Sequence, residues 1–311
     1  MNVRTLQKTE LDTALEWAGR EGWNPGLDDA EAFFNADPTG FHGVFSGNEL
    51  VACISVVKHD VALAFLGLYL CHPDWRGQGY GWQVWQAAMR TVQGTVGLDG
   101  VVEQQENYRR SGFEFAWNNA RYHGVLQPPA VEASPGGSPV ASAQAAEQGN
   151  TSTRKDRQSL TGVQPVGERH RAAVVAFDQV VTGIHRTAFA TAWYTDTATR
   201  KSYCIQHGDT IVAVGTIRQC LEGYKIGPLF CPDAATAQDI VTAMLRDLPP
   251  VATELEGYVV YLDVPSNHRA AVAFVQSLAM QPVFETARMY RGTPPMGQPQ
   301  SVFGLTTLEL G

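Results

Sequence analysis

Apolar and polar positions along this chain follow two periods in turn. Spacings of three and four place apolar side chains on one face over residues 10–21 and 27–34, which predicts two amphipathic helices. Apolar runs at 41–45, 50–58 and 61–71 predict strands, with turns at Ser46-Gly47-Asn48 and His59-Asp60. A short strand at 3–6 precedes them. A helix at 80–91, a strand at 96–101, a helix at 104–111 and a long strand at 113–124 follow. The same order then returns. It runs through a strand at 162–166, helices at 168–181 and 186–193, and strands at 202–206, 210–220 and 224–230, with His207-Gly208-Asp209 as a hairpin turn. A helix at 233–248, a strand at 258–264, a helix at 267–278 and a strand at 283–291 complete it. Direct identity between the halves is low, so the repeated order itself predicts two copies of one α/β unit.

The stretch between them begins Pro128-Pro129, continues through Ser134-Pro135-Gly136-Gly137-Ser138-Pro139, and is otherwise rich in Ala, Gln, Ser and Thr. It cannot bury enough apolar surface to order itself. The expected organisation is a first domain at 1–126, a flexible linker at 127–159 and a second domain at 160–311. The cluster Arg154-Lys155-Asp156-Arg157 reads as a solvated linker end.

Composition narrows the function. The chain has 311 residues, is 44% apolar and carries a net charge of −8. That balance argues against general affinity for nucleic acid or anionic membrane, and leans toward cationic or small neutral substrates. Five scattered cysteines without a CxxC predict reduced thiols rather than a disulfide framework or a zinc site. The polar start, residues 1–10, does not read as a signal peptide, and no apolar run is long enough to span a membrane. A cytoplasmic protein is expected.

The sharpest chemistry follows the strand at 61–71. Pro73-Asp74-Trp75-Arg76-Gly77-Gln78-Gly79-Tyr80-Gly81 leads into a helix. Alternate glycines let main-chain N–H groups point inward, the helix adds its free N–H groups and dipole, and Arg76 adds a positive charge. Together they predict a phosphate cradle. A Rossmann fingerprint would need a third glycine where Trp82 stands, and a P-loop would need a lysine that is absent. The pattern Arg/Gln-x-x-Gly-x-Gly/Ala fits at every fixed position.

In that register, Cys71-His72-Pro73-Asp74-Trp75-Arg76-Gly77-Gln78-Gly79-Tyr80-Gly81 resembles the acetyl-CoA motif of the GNAT superfamily of N-acetyltransferases. Asn107-Tyr108-Arg109-Arg110-Ser111-Gly112-Phe113 resembles the family's later signature, a tyrosine followed by Gly-Phe. The second half resembles the C-terminal GNAT-like domain of tandem members through Gly227-Pro228-Leu229-Phe230, Asn267 onward, 284–290 and 303–310. The resemblance implies an α/β fold of two tandem domains, each a mixed, mostly antiparallel sheet with splayed central parallel strands flanked by helices. It implies acetyl-CoA as co-substrate. The pyrophosphate would lie on the N–H groups of Arg76, Gly77, Gln78, Gly79, Tyr80 and Gly81, and the pantetheine beside Tyr69 to Cys71. An N–H near Cys71 would polarise the acetyl carbonyl, and Asn107 would donate to the cofactor. Tyr108 would be the acid that protonates the departing sulfur, a thiol near about 8.5 and a phenol near about 10 being closely matched. The second half departs from the pattern. After Phe230 come Cys231-Pro232-Asp233-Ala234, without arginine or alternating glycine, so no coenzyme A is expected there.

An attacking amine must be neutral, yet the strand at 61–71 carries no titratable group except Tyr69 and Cys71. Asp99, Glu103, Glu106, His72 and His42 are candidate bases. Cys71 reads as packing beside the cofactor rather than as a nucleophile. Trp82 and Trp85 read as packing of one helix, and Trp23, Phe33 and Phe34 fall where the family covers its acceptor cleft. His185 and Arg186 show no identifiable partner, and the histidines show no metal-ligand spacing. The expected function is transfer of acetyl from acetyl-CoA, with no metal, to a small-molecule amine such as an amino sugar, polyamine, amino acid or antibiotic. The second half would support packing, the acceptor site or homodimer formation. A non-catalytic acyl-CoA-binding scaffold and a protein N-acetyltransferase are the rival readings.

Overall fold

The computed structural model describes residues 2–128, 162–250 and 257–311. All but the first two residues of the linker read at 127–159 lie outside the described residues. The first half contains β1 (Asn2–Thr5), α1 (Lys8–Arg20), α2 (Asp29–Ala36), β2 (Phe41–Ser46), β3 (Glu49–Lys58), β4 (Leu63–Cys71), α3 (Tyr80–Met89), β5 (Thr95–Val101), α4 (Gln105–Arg110) and β6 (Glu114–Leu126). The second contains β7 (Val163–Pro165), α5 (Glu168–Thr182), α6 (Thr187–Trp193), β8 (Arg200–His207), β9 (Thr210–Gln219), β10 (Tyr224–Phe230), α7 (Ala234–Arg246), β11 (Tyr258–Pro265), α8 (Arg269–Ser277), β12 (Gln281–Arg291) and β13 (Val302–Gly304). The predicted elements recur with shifts of a few residues. The sequence pattern did not assign the three-residue β13.

The strands form one mixed sheet in the order β1-β2-β3-β4-β5-β12-β6-β11-β10-β9-β8-β7, with β13 pairing β10 off this path. The halves exchange their last long strands. β5 of the first half pairs antiparallel with β12 of the second, and β11 of the second pairs antiparallel with β6 of the first. Residues 1–126 therefore do not close a sheet by themselves. Ala287 and Met289 of β12 join the core beneath α3, among Val84, Trp85, Leu66 and Leu98. Ala120, Tyr122 and Leu126 of β6 join the core beneath α7 and α8. A third core lies where the halves meet, stacking Leu11, Leu15 and Phe33 of α1 and α2 against Phe189 and Trp193 of α6.

Two buried ion pairs fix the exchange. Arg288 of β12 stands opposite Asp99 of β5 and binds it through both Nε and Nη2 at 2.7 Å. Arg121 of β6 stands opposite Asp263 of β11 and binds it at 2.7 and 2.9 Å.

After β13 the chain crosses to the first half. Leu305 N–H donates to the Asp263 carbonyl at 2.8 Å. The Arg186 guanidinium donates to the Gly311 carbonyl. His59 Nε2 lies 2.7 Å from the Leu310 carbonyl. Burial pulls the His59 imidazole down to about 4, against a raising contribution from that carbonyl. The folded chain thus keeps His59 neutral where an unfolded chain protonates it, near 6.5. This contribution to stability is complete above about pH 6.5 and is lost as pH falls toward about 4. The melting temperature should fall more steeply over that window in the wild type than in His59→Gln, which keeps a donor but cannot titrate; equal slopes would remove the histidine from the account.

Candidate active site

The turn expected to cradle phosphate is built as its glycines require. A 3-10 turn at Pro73–Trp75 follows β4, and Gly77 and Gly79 take φ of 74° and 86°. That left-handed region is strained for residues with a Cβ. Gly79 is the N-cap of α3 and among the described residues no side chain caps that helix, so its first N–H groups stay available. The corresponding helix of the second half, α7, is capped by Asp233, which accepts the Thr236 N–H at 2.8 Å. One helix start is open to an anion and the other is filled by a carboxylate.

Beside the turn the sheet opens. The parallel pairing of β4 with β5 runs from Leu63↔Thr95 to Leu66↔Leu98 and stops, although both strands continue. A bulge against β3 at this point puts Leu68 at φ 43°. A cavity of about 420 Å³ lies at the splay, lined by Gly67 to Cys71, Arg76, Gly81, Asp99, Tyr108, Arg121, Thr286 and Glu309, among others.

The structure sorts the expected site residues. Tyr69, Cys71, Arg76, Gly81 and Tyr108 line the cavity, whereas Gly77, Gln78, Gly79 and Tyr80 form the turn outside its lining. Gln78 donates to the Asp74 carbonyl at 3.1 Å, and Tyr80 packs edge-on against Trp75. Arg76 is not a free cation: Nε donates to the Cys71 carbonyl at 3.1 Å and the guanidinium is paired with Glu21. Asn107 donates to Gln104 at 2.8 Å and is not part of the lining. The Tyr108 ring stacks on Trp85 at 5.9 Å and meets Phe113 edge-on. Burial, first, and the neighbouring Tyr69 push its phenol up, so the close match of phenol and thiol acidity is not what this environment gives. Burial also raises the Cys71 thiol, with Arg76 pulling the other way.

The candidate bases are mostly committed elsewhere. Asp99 lines the cavity but is held by Arg288 and by Asn119 Nδ2 at 2.7 Å. Glu106 pairs with Arg109 and Arg110 on the surface. The His72 ring packs against Trp17, and burial lowers the His42 imidazole within β2. Neither histidine nor Glu103 lines the cavity. Phe33 packs on Trp193 and Phe34 on Phe41, in the core rather than the cleft. Trp82 is 57% exposed. Arg186 does have a partner, a buried bidentate pair with Asp178, and His185 lies 2.7 Å from Gln179.

The second half supplies what the sequence did not. Phe284 and Thr286 of β12, with Leu308 and Glu309 after β13, form the far wall of the cavity. Gly67 lets the Glu309 backbone lie directly on β4, where an added Cβ would collide with it. Both halves hold Trp23 in place, through Arg121 of β6 and Lys225 of β10. Arg121 Nη1 donates to the Trp23 carbonyl at 2.6 Å, and Lys225 Nζ lies 3.2 Å from it and 2.8 Å from the Asn24 carbonyl. Asn24 and Glu222 exchange hydrogen bonds of 2.9 and 3.0 Å. A second, mostly apolar cavity of about 620 Å³ lies among α5, α8, β12 and β13, away from the glycine turn. Among the described residues no helix is long and apolar enough to cross a membrane.

A splayed β4–β5 pair ending in an open glycine turn, present once and repeated in a closed form, defines a tandem acyltransferase architecture. Comparisons with known proteins agree. Residues 8–113 match the acetyltransferase (GNAT) family, and residues 174–304 match an acetyltransferase (GNAT) domain. The chain is 31% identical over 303 residues to holothin acyltransferase of Pseudoalteromonas sp. (strain SANK 73390), covering 97% of this chain and 92% of that protein. A putative acetyltransferase from Pyrococcus horikoshii shares the fold with a TM-score of 0.71 at 15% identity, over 100% of this chain and 95% of that one. A tandem GNAT protein from the clavulanic acid biosynthesis pathway superposes with a TM-score of 0.54 at 13% identity, over 93% and 97% of the two chains. The chain belongs to the GNAT acyltransferase family, as a tandem member.

The Arg76–Glu21 pair sets a prediction for acyl-CoA binding. Glu21→Gln releases the guanidinium toward the turn and should tighten acetyl-CoA binding by a few-fold, whereas Arg76→Ala should weaken it by about tenfold or more. Titration calorimetry reads both, and unchanged affinity in both variants would take Arg76 out of the phosphate site.

Proposed function

We propose that this chain moves an acetyl group from acetyl-CoA to the amine of a small molecule. The observation that carries the reading is the splay beside the uncapped start of α3, with Tyr108 in the wall of the same cavity. The co-substrate would supply an activated acyl group as its thioester. The turn from Arg76 to Gly81 would hold its phosphates, and main-chain groups freed on β4 beyond Leu66 would hold its arm and polarise the carbonyl. Burial pushes the Tyr108 phenol further above its ordinary range, so its hydroxyl would serve the departing sulfur as a hydrogen-bond donor. The similarity to holothin acyltransferase supports a small acceptor. The five free cysteines are consistent with a reducing, cytoplasmic setting.

Thiol release from acetyl-CoA with a panel of small amines tests the reading. Tyr108→Phe should lower turnover by about a hundredfold while the thermal shift given by acetyl-CoA persists. A thermal shift with no thiol release from any amine would instead mark a binding scaffold. Faster turnover of lysine peptides than of any small amine would mark a protein N-acetyltransferase.

A further inference from the structure

The charged side chains that line the cavity are neutralised one by one, with a single exception. Asp99 is bound by Arg288, Arg121 by Asp263, and Arg76 by Glu21. Glu309 is 6% exposed and lines the same cavity, and among the described residues no hydrogen bond or ion pair closes on its carboxylate. Its main chain is fixed: the Glu309 and Leu310 N–H groups donate to Thr307 Oγ1 at 3.2 and 2.9 Å, and its backbone lies on Gly67 at the splay. A second observation points the same way. Thr286 is 3% exposed, lines this cavity, and among the described residues its Oγ1 has no hydrogen-bond partner. Thr286 stands opposite Val101, at the end of β5 that has separated from β4. A buried hydroxyl without a partner costs free energy unless a ligand completes it, and a carboxylate in the cavity wall that no cation closes on is open to a ligand's N–H.

We propose that Glu309 and Thr286, both from the second half, form the seat of the acceptor's attacking nitrogen, and that Glu309 takes its proton. The acceptor is a compact primary amine with an apolar body, since Trp23, Leu68, Phe284 and Leu308 make the surrounding wall. The nitrogen lone pair forms the C–N bond and the thioester C–S bond breaks with its electron pair passing to sulfur. The proton shed by nitrogen goes to the Glu309 carboxylate and from there to water. The sulfur takes one proton in return, so the products are an amide and a thiol. The inference rests on the acetyl-transfer reading above.

The test uses the full chain with acetyl-CoA and three probes: aniline for an apolar body, and spermidine and glucosamine for polar ones. Aniline should be the best acceptor. Glu309→Gln should lower kcat by about a hundredfold, leaving the KM for acetyl-CoA and its thermal shift unchanged. Added formate should restore turnover to Glu309→Ala, which a merely structural role would not allow. Thr286→Val should raise the acceptor KM by about tenfold. Glu309→Gln within about twofold of wild type overturns the assignment and leaves acetyl transfer standing. If Glu309→Gln does not fold, an unchanged acceptor KM in Thr286→Val overturns the seat. A preference for spermidine or glucosamine overturns the apolar acceptor. A wild-type chain that binds acetyl-CoA but releases no thiol with any of the three amines overturns the acetyl-transfer reading, and this inference with it.

Discussion

The structure depends on two buried arginine–carboxylate pairs that hold exchanged strands in register. Arg288 on β12 grips Asp99 on β5, and Arg121 on β6 grips Asp263 on β11; all four side chains are almost fully withdrawn from water. Each pair crosses from one half of the chain to the other, and in each the partners stand directly opposite on neighbouring strands. A strand has a side-chain period of two, so a slip of one residue would turn each arginine to the wrong face. It would leave a buried charge without its partner, at a cost of about 3–5 kcal/mol for each pair broken. Hydrophobic burial supplies most of the favourable free energy in the three cores, but it does not by itself choose between a strand from one half and a strand from the other. The ion pairs lock the exchanged strands in register, each guanidinium meeting its carboxylate directly across the strand boundary.

The exchange also explains why the site is composite. β12 lies against β5, so Phe284 and Thr286 arrive at the open end of β5 as a consequence of pairing. Arg121 arrives on the other exchanged strand and, while bound to Asp263, donates to the Trp23 carbonyl as well. One guanidinium thus fixes both the sheet and the loop over the cleft. Lys225 reinforces it from β10 by donating to the Trp23 and Asn24 carbonyls, at a price: burial pulls its ammonium down to about 8.

What could be read from the chain and what could not divide along the same line. Local chemistry was legible. The glycine turn, the strand before it and the helix after it lie where their spacing put them, because left-handed glycines and an uncapped helix start are properties of adjacent residues. Tyr108 and Cys71 were legible as cavity residues through the resemblance of their motifs to the GNAT family. The pairing of Arg76 with Glu21 was not, since it joins residues 55 positions apart. Asp99 looked like a free acid from sequence because its partner is 189 positions away on a strand expected to serve the other half. The repeated order of elements was evident, yet order along a chain does not say which edge a strand will join. Glu309 carried one faint signal, a lone acid in the apolar run Leu308-Glu309-Leu310, and nothing nearby to show that this run crosses to the first half.

The two halves share a fold and differ where β4 parts from β5 and β10 parts from β11. In the first half the gap stays open and becomes the cavity. In the second, β10 also ends its parallel pairing early, at Ile226↔Leu262, but β13 fills the gap by pairing with Leu229 and Phe230. The Leu305 N–H then reaches the Asp263 carbonyl on the other side. Freed main-chain groups in a splayed sheet need partners. The first half leaves that need for a ligand to meet, and the second meets it with its own chain. The same segment then continues past the closed gap to the open one, where Leu308 and Glu309 form part of its wall. Closing one gap and furnishing the wall of the other are therefore consecutive parts of a single stretch of ten residues, 302–311, and the half without the glycine turn forms part of the wall of the other half's cavity.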